Sequence, residues 1–196
     1  MADETTKIHL ITADEFKTLA RPTSTHLDDN EVDAFIEECE DVYIIPSIGY
    51  GNIKKAIEEN SWGSPIGAEF SAETILDGGE YKRKVKPCGC AQNEENDEIS
   101  YCVGLKKALA YFVYAKMERA DGAIIERSGF MRHNDQYGDH IGDSQPTEKN
   151  KQYSDTMQIA EKYLADCLAY IDNFKVVGSQ PTKPIHTSRA RISAIG

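Results

Sequence analysis

No stretch of this sequence approaches the roughly 20 consecutive apolar residues that a membrane helix needs. The opening MADETTKIHL has neither the basic start nor the apolar centre of a secretory signal, so a cytosolic protein, or one assembled in a cytosol, is expected. Basic residues are in deficit: 22 Lys and Arg face 33 Asp and Glu, a formal charge of -11. That balance argues against a surface that grips nucleic acid or anionic lipid through many phosphate contacts. Cysteines number five and do not pair into a disulfide framework. Cys39, Cys102 and Cys167 fall on apolar helical faces, where a reduced cysteine acts as a small hydrophobe. Only Cys88 and Cys90, in KPCGCAQ, lie close together in a loop.

The motifs of catalysis are missing too. There is no Gly-x-Ser-x-Gly, Walker loop, His-Glu-x-x-His or Gly-x-Gly-x-x-Gly. Cys88 and Cys90 offer two zinc thiolates, but a structural zinc site takes four ligands, and His133 and His140 stand in a different loop. NDQYGDHIGD lacks the alternating ligand order and closing glutamate of a calcium loop. His9, His26 and His186 have no acidic or nucleophilic neighbour at useful sequence spacing. A non-enzymatic protein without a cofactor is expected.

What is present is helical pattern. Among the 196 residues, 40% are hydrophobic, enough for a core. ITADEFKTLARP carries a capping box, Thr12 with Glu15, and Arg21-Pro22 stops the helix. Asp28 or Asp29 caps a second helix whose stripe is Val32, Phe35, Ile36, Cys39, Val42 and Tyr43. Pro46 should end or kink it, Gly49 or Gly51 permits a left-handed turn, and Asn52 can cap IKKAIEEN. The result is an αα-hairpin whose corner buries Ile44, Ile45 and Ile48.

From Ser61 to Ser100 the helical period vanishes. ETILDGGEYKRKV reads as two short strands around an Asp-Gly-Gly turn, and AQNEENDEIS as an acidic loop. Such a segment should project from the helices instead of joining their core. Helix resumes in SYCVGLKKALAYFVYAKMERA, burying Cys102, Leu105, Leu109, Phe112, Val113 and Met117, and ends at Gly122. AIIERSGFMRHN is an extended segment or a small hairpin around Ser128-Gly129, followed by the polar loop DQYGDHIGDSQPTEKN. The last helix, YSDTMQIAEKYLADCLAYIDNF, puts Met157, Ala160, Leu164, Cys167, Leu168 and Ile171 on one stripe. No acid follows Asp172, and Lys175, Lys183, Arg189 and Arg191 make the tail basic. Its prolines forbid a helix, and Ile185, Ile192 and Ile195 are spaced anchors on an arm suited to docking on another copy or an acidic groove.

The expected fold is therefore mainly α: a helical bundle with an αα-hairpin corner, a β-hairpin-containing insertion and an extended C-terminal arm. Residues 1–60 and 101–172 form the body, 61–100 the insertion and 173–196 the arm.

The capped helix, the EVDAFIEECEDVYI stripe and the PSIG corner resemble the N-terminal part of tailed-phage head–tail connector proteins, the adaptors that form a ring beneath the portal. ILDGGEYKRK, VGLKKALAYFVYAK and ERSGFMRHND are similar to the version in phages of Bacteroidetes hosts (crAss-like or related), which carries an LDGG-Y turn and a GLK-x-A-x-x-Y-F-x-Y-A helix. The Cys-Gly-Cys loop and the basic tail depart from that pattern. The resemblance covers most of residues 8 to 172. It implies a structural virion protein in the neck, assembled in the host cytoplasm. Its partners would be identical neighbours in a ring, usually of twelve, the portal, a further neck or tail protein, and DNA passing without specific binding. Pro46, Gly49 and Gly51 are then architecture that sets the angle between two helices. The acidic charge suits a channel through which DNA slides, or simply solubility. A different class also fits the residues: a small helical binding or regulatory protein with a metal- or redox-sensitive Cys-Gly-Cys loop.

Overall fold

A computed structural model of the chain describes residues 7–21, 27–63, 66–85, 96–120, 124–126, 129–131 and 145–175. The architecture is mainly helical with small antiparallel hairpins. Helix α1 (Ala13–Leu19) starts at the expected box: the Glu15 amide donates to the Thr12 hydroxyl at 3.3 Å, and the Thr12 amide to the Glu15 carboxylate at 3.0 Å. Asp28 caps α2 (Asp29–Cys39), accepting from the Asn30 amide.

A wide π-turn over Glu40–Ile44 follows, then α3 (Ile45–Ile48). The Ile45 amide donates to the Glu40 carbonyl five residues back. This turn corrects two expectations. Pro46 does not end the helix, which runs on to Ile48. A proline ring clashes with the carbonyl four residues earlier in a regular α-turn, and a locally widened turn relieves that crowding. The buried stripe also changes phase: Ile36, Glu40, Ile44 and Ile48 face the core at every fourth position, while Val42 points outward. Ile45 is half-buried.

The corner itself lies at Gly49, with φ 91° and ψ 130°, a conformation that a Cβ disfavours. Gly51 sits one residue inside α4 (Tyr50–Glu59) and takes no part in the turn. Asn52 is not an N-cap. Its side-chain amide donates to the Ile48 carbonyl at 2.8 Å, closing the end of the preceding helix.

The segment expected to project instead enters the core. Ser71 accepts from the Thr74 amide and starts α5 (Ala72–Asp77), which buries Ala72, Ile75 and Leu76. Asp-Gly-Gly is thus the exit from a helix, not a hairpin turn. Strand β1 (Gly79–Val85) pairs with β2 (Asn96–Cys102), from Gly79 opposite Cys102 to Val85 opposite Asn96. Part of the expected acidic loop is therefore strand.

Helix α6 (Leu105–Ala120) begins five residues later than its pattern suggests, because Cys102 ends β2 and Gly104 turns the chain at φ 92°. Two corners meet there, backbone against backbone. A Cβ on Gly104 would lie 2.6 Å from the Gly78 nitrogen, and one on Gly78 would lie 2.7 Å from the Val103 carbonyl oxygen. Strands β3 (Ile124–Glu126) and β4 (Gly129–Met131) form the small hairpin expected near Ser128-Gly129. Helix α7 (Gln145–Phe174) is longer than the apolar stripe implies and starts inside the expected polar loop.

The core forms where α6 packs against α7 and α2. Leu105, Leu109, Phe112 and Val113 meet Ala160, Cys167, Leu168 and Ile171, while Ala108, Ala110 and Ala115 let the helices approach closely. Met117 and Leu164, expected in the core, are half-buried at its margin. Tyr43 stacks on Phe112 with centroids 4.4 Å apart and Lys116 over its ring, fastening the π-turn to α6.

Candidate interaction surface

The β1–β2 hairpin stands on an aromatic foot. Tyr81 meets Tyr170 edge-on at 4.8 Å, and Phe70, Phe174 and Trp62 extend the cluster. Alternation then divides the ladder into two faces, because directly opposed residues share a side. Gly79 with Cys102 and Tyr81 with Ser100 turn toward the body; Glu80 with Tyr101 and Lys82 with Ile99 turn away. Cys102 is fully buried, whereas Ile99 is 72% and Tyr101 62% exposed. A branched aliphatic and an aromatic side by side on an open strand form an apolar patch, the kind of feature that marks a contact site. The carbonyl of Lys82 in β1 accepts from the Asn173 side chain at 3.1 Å, so the end of α7 reaches the strand at this point.

A second exposed apolar position is Val42, 48% exposed on the π-turn. Glu37, Glu38 and Asp41 surround it in sequence and are exposed. Lys7 lies 2.7 Å from Asp41 and 3.8 Å from Glu37, and Lys116 lies 2.7 Å from Glu38. Among the residues whose side chains are described, only Val42, Ile99 and Tyr101 are large hydrophobics left this open.

Beneath Val42 the π-turn buries a carboxylate. Glu40 accepts from the Leu10 amide at 2.7 Å and lies 3.0 Å from Nδ1 of His9, with Lys7 Nζ at 3.7 Å. The fold thus gives His9 an acidic neighbour that sequence spacing did not. Glu40 fixes the segment before α1 onto the π-turn, because a buried carboxylate needs donors. An open cleft of about 390 Å³ lies alongside, lined by Ile11, Ile36, Asp14, Asp29 and Asp33 among others. Lys17 already holds Asp29 at 2.6 Å and Asp14 at 3.8 Å. Among the described residues no group of three or more His, Cys, Asp or Glu side chains is arranged to hold a metal.

Cys102 and Cys167 meet in the interior with sulfurs 3.9 Å apart. The contact with Cys102, together with burial, pushes the Cys167 thiol well above its ordinary range. Burial pushes Cys39 up to about 12. All three thiols are buried in the core, and those of Cys39 and Cys167 are held protonated.

The proposed arm residues Lys183, Ile185, Arg189, Arg191, Ile192 and Ile195 lie outside the described residues, as do Cys88 and Cys90. The start of that arm is corrected: Asn173 and Phe174 belong to α7, and Lys175 pairs with Ile66 across an isolated antiparallel bridge. The hairpin patch was missed because the charges around it read as loop, although the alternation Ile99, Tyr101 is a strand signal. No sequence signal distinguished Glu40 from its exposed acidic neighbours.

A family model described as "Family of unknown function (DUF6712)" matches residues 44–175, and the chain belongs to that family. Neither the curated proteins nor the solved structures yield a match.

Proposed function

We propose that this DUF6712 protein is a non-enzymatic structural subunit of a tailed-phage virion: a head–tail connector whose copies form a ring on the portal. The observation that carries this reading is the contact between Gly78 and Gly104. ILDGG and VGLK carry the resemblance to connectors from two separate parts of the sequence, and they form one tertiary contact. Residue types required by such a contact point to shared architecture and not to a reaction. The open apolar hairpin face supports the same reading, since an assembling subunit needs surface that is unsatisfied in the monomer. In this role the acidic body lines or flanks the channel and lets DNA pass without specific binding. The basic segment after Lys175 reaches a neighbour, the portal or a further neck protein, with Lys183, Arg189 and Arg191 supplying charge and the three isoleucines anchoring it. The site of action is the neck of the virion, after assembly in the host cytoplasm.

The test is electron microscopy and native mass spectrometry of the full chain, alone and mixed with the portal protein of the same phage. Rings sharing the portal's symmetry, twelve copies for a dodecameric portal, are expected. A chain that stays monomeric and leaves the portal unbound under all conditions overturns the proposal.

A further inference from the structure

Two of the buried cysteines are neighbours although 65 positions separate them in the chain. Cys102 closes strand β2, and Cys167 lies toward the end of α7. Both side chains are buried, with their sulfurs 3.9 Å apart. A disulfide bond is about 2.05 Å long, so each sulfur has roughly 1 Å to travel to form one. The surroundings treat the two thiols unequally. Hydrogen bonding from Cys167 holds the Cys102 thiol below its ordinary range against the opposing effect of burial, and the Gly104 backbone adds to that pull. The same contact and burial push Cys167 the other way, so it keeps its proton. Cys39 shows burial as the leading cause, its thiol pushed up to about 12. A sulfur inclined to ionise, set against a protonated one, is the pairing in which one cysteine attacks and the other completes the bond.

We infer that Cys102 and Cys167 are an oxidisable pair, which a peroxide converts into a disulfide tying the root of the β1–β2 hairpin to α7. The Cys102 thiolate attacks one oxygen of hydrogen peroxide; the O–O bond breaks, leaving a sulfenic acid on Cys102, and the departing oxygen leaves as water. The Cys167 sulfur then attacks the Cys102 sulfur; the S–O bond breaks, and the hydroxyl leaves as water with the Cys167 proton. Two thiols and one peroxide thus give one disulfide and two waters. The route to the pair is short. Tyr101, the residue before Cys102, is on the exposed face of β2, so opening the end of this strand admits a small oxidant without global unfolding. In a compartment kept reducing by glutathione the pair stays as two thiols, and in an oxidising one the bond persists. The inference does not depend on the connector reading, because a single copy holds both sulfurs.

The experiment treats the folded, full-length wild-type chain with hydrogen peroxide, blocks the remaining thiols with iodoacetamide in denaturant, and cleaves after glutamate. Cleavage at Glu98, Glu118 and Glu161 puts Cys102 and Cys167 on separate peptides, away from Cys39, Cys88 and Cys90. Mass spectrometry without reductant should find those two peptides joined, lighter than their sum by two hydrogens, and dithiothreitol should part them. The oxidised protein should melt at least about 5 °C higher, because the bond closes a long loop in the unfolded chain. Dithiothreitol should reverse that shift, and a Cys88→Ser, Cys90→Ser variant should retain it. Equal alkylation of both thiols before and after peroxide overturns the inference. So does a joined species that forms only in urea-unfolded protein, or one that links either cysteine to Cys39, Cys88, Cys90 or a second copy. Sulfinic acid on Cys102 without any joined peptide overturns it as well.

Discussion

The hydroxyl of Tyr170 holds the backbone of Ser71 from both sides, accepting from its amide at 2.9 Å and donating to its carbonyl at 3.1 Å. The two residues are 99 positions apart, and Ser71 is also the cap of α5. One phenol thereby ties the last helix to the start of the α5–β1 unit. Tyr170→Phe keeps the ring in its aromatic cluster and strands both backbone groups. A loss of about 1–3 kcal/mol is expected in urea denaturation. An unchanged midpoint would show that water replaces the hydroxyl at no cost.

Glu40 provides a second test of buried polarity. Glu40→Ala leaves the Leu10 amide without its acceptor and should cost about 1–3 kcal/mol. It should also expose residues 7–12 to limited proteolysis. Glu40→Gln retains an acceptor oxygen and should be milder. Equal cleavage of wild type and Glu40→Ala would mean that the contact does not hold the segment.

Two glycine substitutions should act in opposite directions. Gly104→Ala places a Cβ at positive φ, 2.6 Å from the Gly78 nitrogen, and should abolish folding or cost more than about 3 kcal/mol. Gly51→Ala meets nothing within 4 Å in the first turn of α4 and should stabilise by about 0.4–1 kcal/mol. Thermal melts of both variants settle the comparison. A destabilised Gly51→Ala would assign that glycine to the corner after all.

Stability should fall at alkaline pH. Unfolded, Cys39 ionises near its ordinary 9.0; in the fold burial pushes it up to about 12. The folded state keeps a proton that the unfolded state releases, so raising pH through this window favours unfolding. The slope is roughly 1.4 kcal/mol per pH unit from this group between those values. Cys39→Ala should flatten the decline measured by urea midpoints between pH 8 and pH 10.5. An identical slope would place the thiol in contact with water.

The parts of the fold legible in the sequence were those decided by local chemistry. The Thr12–Glu15 box, the Asp28 cap and the stripe from Met157 to Ile171 depend on near neighbours in the chain. What escaped depended on distant ones. The π-turn is compatible with Pro46, but it leaves Val42 outside and Glu40 inside, against the simple period. Helix α5 has only six residues, too few for a period to declare itself beside Asp-Gly-Gly. The hairpin patch was hidden for a similar reason, since only the pairing of Ile99 with Lys82 shows which face is open.

The Gly78–Gly104 contact also has a mechanical meaning. Each seven-residue strand extends roughly 23 Å from that contact, at about 3.3 Å per residue. The hairpin is a pointer, and the two glycines are its pivot bearing. A tilt of about 5° at the root would move the far end by roughly 2 Å over that length. With no side chain between them the two backbones bear directly on each other, and the Tyr81–Tyr170 contact braces the pointer just above that bearing. Identical copies would then point identically, and in a circle of subunits small angular errors would not accumulate from one to the next.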